Sequence, residues 1–314
     1  MKNMKSLFVA LMLLTGISAA KAQNVKVDVN PNIQVDVQSI VDNVVASINE
    51  EFDFDFAPSL NIQSGQGDYQ EATQEIEIPL SKPGERGSIE VDSRNGKVKI
   101  TGYDGPTVKV KIIKYEKKVS GDSKNGMRLI SSGGFSFQAS ENNNRVKVEN
   151  EGWNDRADFE IMVPKNFNVK ADTYNNGTII VEGVNGEVNV ESYNGPITLT
   201  GISGSASAST YNGAIEVTFN KVTADAPMAF STYNGNIDIS VPDGTKFSTK
   251  MKTKRDIFTD FEAFKLKQTQ PVTNKSDKDG YSVKYENWVE GDLNGGGAEV
   301  RMKTTNGNIY IRKK

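Results

Sequence analysis

The 314-residue sequence contains no cysteine and no histidine. Without cysteine there is no disulfide, no thiolate nucleophile and no zinc–thiolate site. Without histidine the commonest general base and the commonest metal ligand are missing. Ser-His-Asp and Cys-His catalysis are therefore excluded. Composition is otherwise ordinary, at 36% hydrophobic and 25% charged residues with 28 glycines and 10 prolines. The net charge of −3 does not suit a nucleic-acid binder, which is normally basic.

The first residues read as a targeting segment. Lys2 and Lys5 precede a mostly apolar run from Leu7 to Ala19, followed by Ala20-Lys21-Ala22. This is the pattern of a secretory signal peptide, with cleavage expected between Ala22 and Gln23. The apolar run is shorter than the ~20 residues a membrane-spanning helix needs. No second such run follows, so no membrane span is expected in the mature chain. No cysteine is present to carry a lipid, so a lipoprotein is excluded. The mature chain is expected in the periplasm, at the cell surface or outside the cell.

The middle of the chain repeats. Asn-Gly recurs along the chain, including Asn185-Gly186, Asn194-Gly195, Asn212-Gly213 and Asn234-Gly235. Gly177, Gly186, Gly195, Gly204 and Gly213 fall nine residues apart. Short alternating runs follow these turns, as in Ile197/Leu199, Ile215/Val217 and Ile237/Ile239. Such alternation marks half-buried strands. Asn and Gly tolerate positive φ, so Asn-Gly turns the chain at little steric cost. Asn-Gly between alternating runs is also the best hairpin signal, so an antiparallel meander competes. The columns favour another reading. Ile179/Val181, Ile197/Leu199 and Ile215/Val217 recur at 18 residues, as do Val188/Val190, Ala206/Ala208 and Ala224/Ala226. Val184 and Ile202 form a third column. The expected fold is all-β: a single-stranded β-solenoid with coils of about 18–22 residues, each of two short strands and two turns.

One motif is sharper than the rest. Ser/Thr-Tyr-Asn-Gly places Tyr193, Tyr211 and Tyr233 at equivalent positions, and Tyr174 joins them with one inserted Asn. Their steps of 19, 18 and 22 residues predict one file along the stack. Stacked aromatics and asparagine amides would hold coils together. An exposed aromatic rail would instead stack on sugar rings or bind a partner surface. Solvent exposure separates the two.

The flanks lack the short period. Val35–Asn49 reads as an amphipathic helix, with Val37, Ile40, Val41, Val44, Val45 and Ile48 on one face. Glu51–Phe56 alternates acid and Phe, and 63–74 looks like a polar linker. The expected organisation is a signal peptide at 1–22, a helix and linker at 23–75 and the solenoid at 76–314. Irregular insertions are expected near 121–168 and 262–295.

Val163-Pro164-Lys165 with Val169, the repeated Tyr-Asn-Gly turns, Val241-Pro242-Asp243-Gly244 and the tail from Gly295 to Ile311 resemble the bacterial putative-adhesin family of β-strand-repeat proteins. The resemblance covers about 76–314. It implies a β-repeat architecture and, through the family's name, adhesion. The sequence departs from the family where Lys254-Arg255-Asp256 replaces an Asn-Gly turn, and 23–75 has no counterpart.

Chemistry is sparse. The outward acids Glu182, Glu187, Glu191, Glu216 and Asp238 read as a solvated strand face, not a paired-carboxylate site. The lysines of 109–118 alternate with Val and Ile and mark a strand face. Neither the EF-hand loop nor the glycine-rich Asp nonapeptide of calcium solenoids is present. Gly295-Gly296-Gly297 is not a phosphate loop, since no GK[ST] follows. No catalytic, cofactor or metal residue is named. The expected function is an exported, non-enzymatic adhesin or binding scaffold at the bacterial envelope. Its contact surface would be Tyr174, Tyr193, Tyr211 and Tyr233, and its partner an envelope or host polymer or protein. The alternatives are a structural element that self-associates end to end, capped by 23–60, and an Asp/Glu-dependent polysaccharide enzyme.

Overall fold

Side chains two residues apart on a strand share a face, so the alternating runs can bury one face and wet the other. The computed structural model describes residues 59–63, 69–117, 123–124, 127–128, 137–150, 156–175, 177–267, 272–276, 280–284 and 288–314. All belong to the unit Pro58–Lys314. The expected signal peptide at 1–22, the expected helix Val35–Asn49 and the Phe/acid run 51–56 lie outside the described residues. Among the described residues every regular element is a strand. None of them forms a helix long and apolar enough to cross a membrane.

The strands form two eleven-stranded mixed sheets, neither closed into a barrel, and two small hairpins. Through the middle of the chain, successive strands alternate between the two sheets. Asn168–Asn175, Val188–Asn194, Ala206–Asn212 and Met228–Asn234 lie side by side in the second sheet, all parallel. Ile179–Glu182, Ile197–Gly204, Ile215–Val222 and Ile237–Val241 do the same in the first. An Asn-Gly hairpin would pair neighbours antiparallel in one sheet, and these turns do not. The type of turn expected for a hairpin is found at Asn143-Asn144, both at positive φ, between Phe137–Asn142 and Arg145–Asn150.

The register follows the sequence columns. Ile179, Ile197, Ile215, Ile237 and Ile309 face one another across successive strands, and Val181, Leu199, Val217, Ile239 and Ile311 form the next file. All ten are buried, as are Val184 and Ile202. The inward faces of both sheets merge into one apolar cluster. Full burial of each Ile, Leu or Val contributes about 1.5–3 kcal/mol, so the core is spread evenly along the stack.

One column departs from expectation. Ala224 and Ala226 do not continue Ala206/Ala208; Met228 and Phe230 take those places. Four extra residues form a turn there, with Asp225 at φ 58°. The spacing therefore widens from 18 to 22.

The order of strands changes at both ends. In the second sheet the spatial order is Arg145–Asn150, Ser88–Asn95, Asn168–Asn175, then the consecutive strands to Met228–Asn234, then Glu299–Lys303, then Phe247–Lys252. The first sheet follows the same order. So Arg145–Asn150 and Ala157–Pro164, within the expected insertion, lie outside Ser88–Asn95 and Val98–Tyr103 in the stack. The tail 299–313 lies between two earlier segments. Tyr69–Pro79, which overlaps the expected linker, is an antiparallel strand of the first sheet, and Ser59–Gln63 pairs beside it. Within 262–295, Phe264–Lys267 and Val289–Leu293 close the second sheet antiparallel, and Val272–Ser276 pairs antiparallel with Gly280–Lys284 in a separate two-stranded sheet.

The Asn-Gly turns stack more closely than strand pairing alone requires. A Cβ on Gly213 would lie 2.3 Å from the carbonyl oxygen of Gly195, and one on Gly235 would lie 2.0 Å from that of Gly213. Glycine is needed there for approach of backbone to backbone. Gly213→Ala is expected to lower stability by about 1–3 kcal/mol. Gly244, in a turn with open space around its Cα, serves as control: Gly244→Ala is expected to stay within about 0.5 kcal/mol. Urea midpoints of the two variants check both values.

Candidate functional site

Each Ser/Thr-Tyr-Asn-Gly motif ends a strand of the second sheet. Alternation turns its Ser or Thr inward and its Tyr outward. Thr173, Ser192, Thr210 and Thr232 are buried. The Ser192 hydroxyl donates to the Gly177 carbonyl at 2.7 Å, Thr210 to Gly195 at 2.9 Å and Thr232 to Gly213 at 2.8 Å. Each hydroxyl thus ties its own strand to the neighbouring turn. One residue beyond each Tyr, the asparagine amides form a ladder. Asn212 donates to Asn194, Asn234 to Asn212 and Asn306 to Asn234, at 2.7–2.8 Å. The tyrosine backbone is therefore held on both sides.

The four tyrosines form one file. Ring centroids are 4.8 Å apart for Tyr174–Tyr193, 5.3 Å for Tyr193–Tyr211 and 4.9 Å for Tyr211–Tyr233. Interplanar angles are 6–12°. The rings are also exposed, at 43–44% each. They are both a stacked ladder and an outward surface. Stacking occupies both faces of Tyr193 and Tyr211, so these rings present edges and hydroxyls to solvent. A sugar ring cannot lie flat on either of them.

Beside the file runs an open groove of about 500 Å³, lined by the tyrosines, the Ser/Thr residues before them, Asp172, Glu191, Ser209, Ser231, Lys303 and Thr305. Its floor is the outward position two residues before each Tyr. Asp92, Asp172, Glu191, Ser209, Ser231 and Lys303 follow one another there across the sheet. Glu149 precedes them and Lys252 follows. The row passes from acidic through neutral to basic. Nothing in the periodicity of the apolar residues points to it, but the position two before each Tyr could have been read for charge.

Like charges in that row repel. Burial raises the Asp172 carboxyl above its ordinary 3.8; Lys170 draws it down, and Glu191 and Asp92 push it up again. The neighbouring row behaves differently. Lys147, Glu90 and Lys170 alternate in sign, and Lys170 bonds Glu90 at 2.8 Å, which lowers the Glu90 carboxyl.

The candidate acids are scattered. Glu191 lines the groove. Glu182 pairs with Lys99 at 3.0 Å and Asp238 with Arg312 at 2.8 Å on the first sheet. Glu216 is the register neighbour of Asp238, and Glu187 lies just before Val188–Asn194. Among the described residues no three acids are grouped so as to hold a metal ion.

No protein-family model and no curated protein matches the sequence. Among solved structures the chain is similar to a putative cell adhesion protein from Clostridium sporogenes, at 12% identity and a TM-score of 0.38, over 82% of this chain and 100% of that one. It is also similar to a putative adhesin from Bacteroides fragilis, at 10% identity and a TM-score of 0.35, over 81% and 100%. At these TM-scores the likeness does not establish a shared fold.

A carboxyl whose pKa rises on folding takes up its proton more readily in the folded chain than in the unfolded one. The Asp172 charge therefore costs stability at neutral pH, and the cost fades as pH falls through the raised value towards 3.8. Asp172→Asn is expected to raise the melting temperature at pH 7. The gain over the natural chain should shrink with falling pH and close below the ordinary carboxylate range. Paired thermal melts across pH check this.

Proposed function

We propose that the protein is an exported, non-enzymatic adhesion scaffold, built as a β-solenoid, whose contact surface is the tyrosine-lined outer face of the second sheet. The solenoid reading is supported by the alternation of strands between two sheets and the parallel register at 18–22 residues. Export rests on the signal-like segment at 1–22 and places the chain in the periplasm, on the surface or outside the cell. The observation that carries the function is the file of four exposed, mutually stacked tyrosines beside a polar groove. Aromatic residues held rigidly at a surface offer large contact area at little conformational cost. Contact is made by ring edges, phenolic hydroxyls and the Ser and acid side chains of the groove. The partner is a polymer or protein of the envelope or of a host.

End-to-end assembly through open strand edges has less to support it. Antiparallel strands follow the parallel stack at three of its four edges, which blunts them. At the fourth, Ile257–Thr259 is only 3 residues long.

Binding to immobilised envelope polysaccharides, peptidoglycan and host matrix proteins tests the assignment. Tyr193→Ser with Tyr211→Ser should lower the binding constant at least ~10-fold, as loss of central interface anchors does. The fold should survive, since breaking the stack costs about 0.5–1.5 kcal/mol per ring pair. Unchanged binding in the double variant would remove the tyrosines from the contact surface. A natural chain that binds no member of the panel and no copy of itself would end the adhesion reading.

A further inference from the structure

We propose that the partner of the tyrosine face is a second copy of this chain, laid face to face with its stack reversed. The proposal rests on that face being the contact surface. Eight parallel strands of the second sheet carry the groove row, and the tyrosines occupy the third to the sixth of them. The file is thus centred in the stack, with its midpoint between Tyr193 and Tyr211. A two-fold axis through that midpoint, parallel to the strands and in the plane of contact, lays one file on the other. Tyr193 then meets Tyr211 of the second copy, and Tyr174 meets Tyr233.

The same rotation pairs the ends of the charged row. The second strand of the eight carries Asp92 and the seventh carries Lys303. They exchange places under the axis, so each Asp92 lies over a Lys303. The first strand carries Glu149 and the eighth Lys252, which also exchange places, but Glu149 is already bound by Lys147 and Lys252 lies over the Trp288 ring of its own chain, so the complementarity rests on Asp92 and Lys303. Asp172 falls over Ser231 and Glu191 over Ser209. No like-charged pair of the row is brought together. A parallel arrangement would set acid on acid and base on base.

Neither Asp92 nor Lys303 has an ion-pair partner among the described residues, and both are exposed. Other charges on both outer faces are closed within the chain, as in Lys99–Glu182 and Asp238–Arg312 on the first sheet and Lys147–Glu149 and Lys170–Glu90 on the second, which leaves Asp92 and Lys303 as the unanswered charges of the row. The area is adequate. Eight strands at about 4.8 Å and six residues at about 3.3 Å make a face of roughly 35 by 20 Å. That approaches the ~800 Å² per partner of a stable interface. A contact with a groove and charged ends is isologous, as two-fold dimers require.

Sedimentation of the purified chain over a range of concentration tests the proposal. A reversible dimer is expected, weakened at least ~10-fold between about 0.05 and 0.5 M salt. Asp92→Lys alone and Lys303→Asp alone should each be monomeric at concentrations where the natural chain is dimeric. An equimolar mixture of the two variants should recover the dimer, which also shows that both are folded. A natural chain that stays monomeric, or a mixture that fails to recover the dimer, would overturn the proposal. So would variants that dimerise as well as the natural chain. If the chain stays monomeric while Tyr193- and Tyr211-dependent binding to a polymer persists, only this inference fails. If it dimerises as described while it binds no member of the panel and cells displaying it do not aggregate, the adhesion reading fails and the dimer stands.

Discussion

The distance between neighbouring strands, just under 5 Å, governs this molecule. Successive strand pairs are laid in register at that spacing, so every position in one pair lies against its equivalent in the next. What happens at a position depends on how its side chain tolerates its own kind at that distance. Isoleucine and valine tolerate it and form the inner files. Asparagine does so through an amide that donates to one neighbour and accepts from the other. Glycine at the turn tolerates it only because nothing projects from its Cα. Tyrosine stacks at 4.8–5.3 Å.

These turns concentrate several of those solutions within four residues. The buried Ser or Thr donates to a glycine carbonyl that the strand ladder does not use. The glycine N–H reaches the next asparagine carbonyl, as Gly195 does to Asn212 at 2.8 Å. A buried carbonyl deprived of its donor costs about 1–3 kcal/mol, so the hydroxyl is as much a part of the turn as the glycine. This network also lets the stack do without a disulfide, in a chain that has no cysteine. Cross-strand bonding recurs at every level of the stack, and no single link has to hold it closed.

Much of this was legible in the sequence, because in-register stacking converts period into position. The 18-residue recurrence of Ile179, Ile197 and Ile215 predicted their common file, and the tyrosine steps predicted theirs. Three features were not legible. The Asn-Gly turns suggested positive φ, whereas Gly195 and Gly213 are required by close approach. Ala224 and Ala226 mimicked a column because alanine suits a turn as well as a core. The exchanged order at both ends depends on which distant strand an edge accepts. The pattern of Glu299–Lys303 is compatible with either side of Phe247–Lys252, and no local signal distinguishes them. The charge gradient was present in the sequence but acquires meaning only once the row is assembled.

Charge is the case that in-register stacking handles worst, since equivalent positions repel when they carry the same sign. The chain avoids this in two ways. Lys147, Glu90 and Lys170 alternate in sign along their row, and on the first sheet Arg312 answers the acids Glu216 and Asp238 by binding the nearer one. The groove row does so only in part: Lys147 binds Glu149 and Lys170 approaches Asp172 at 3.8 Å, while Asp92 and Lys303 have no ion-pair partner among the described residues. Its acids sit together at one end and its lysines at the other, separated by serines. Segregation lowers the energy only where a second surface brings the opposite charge to each end. Asp92 and Lys303, the charges this row leaves unpaired within one chain, are therefore the ones a reversed copy of itself would answer.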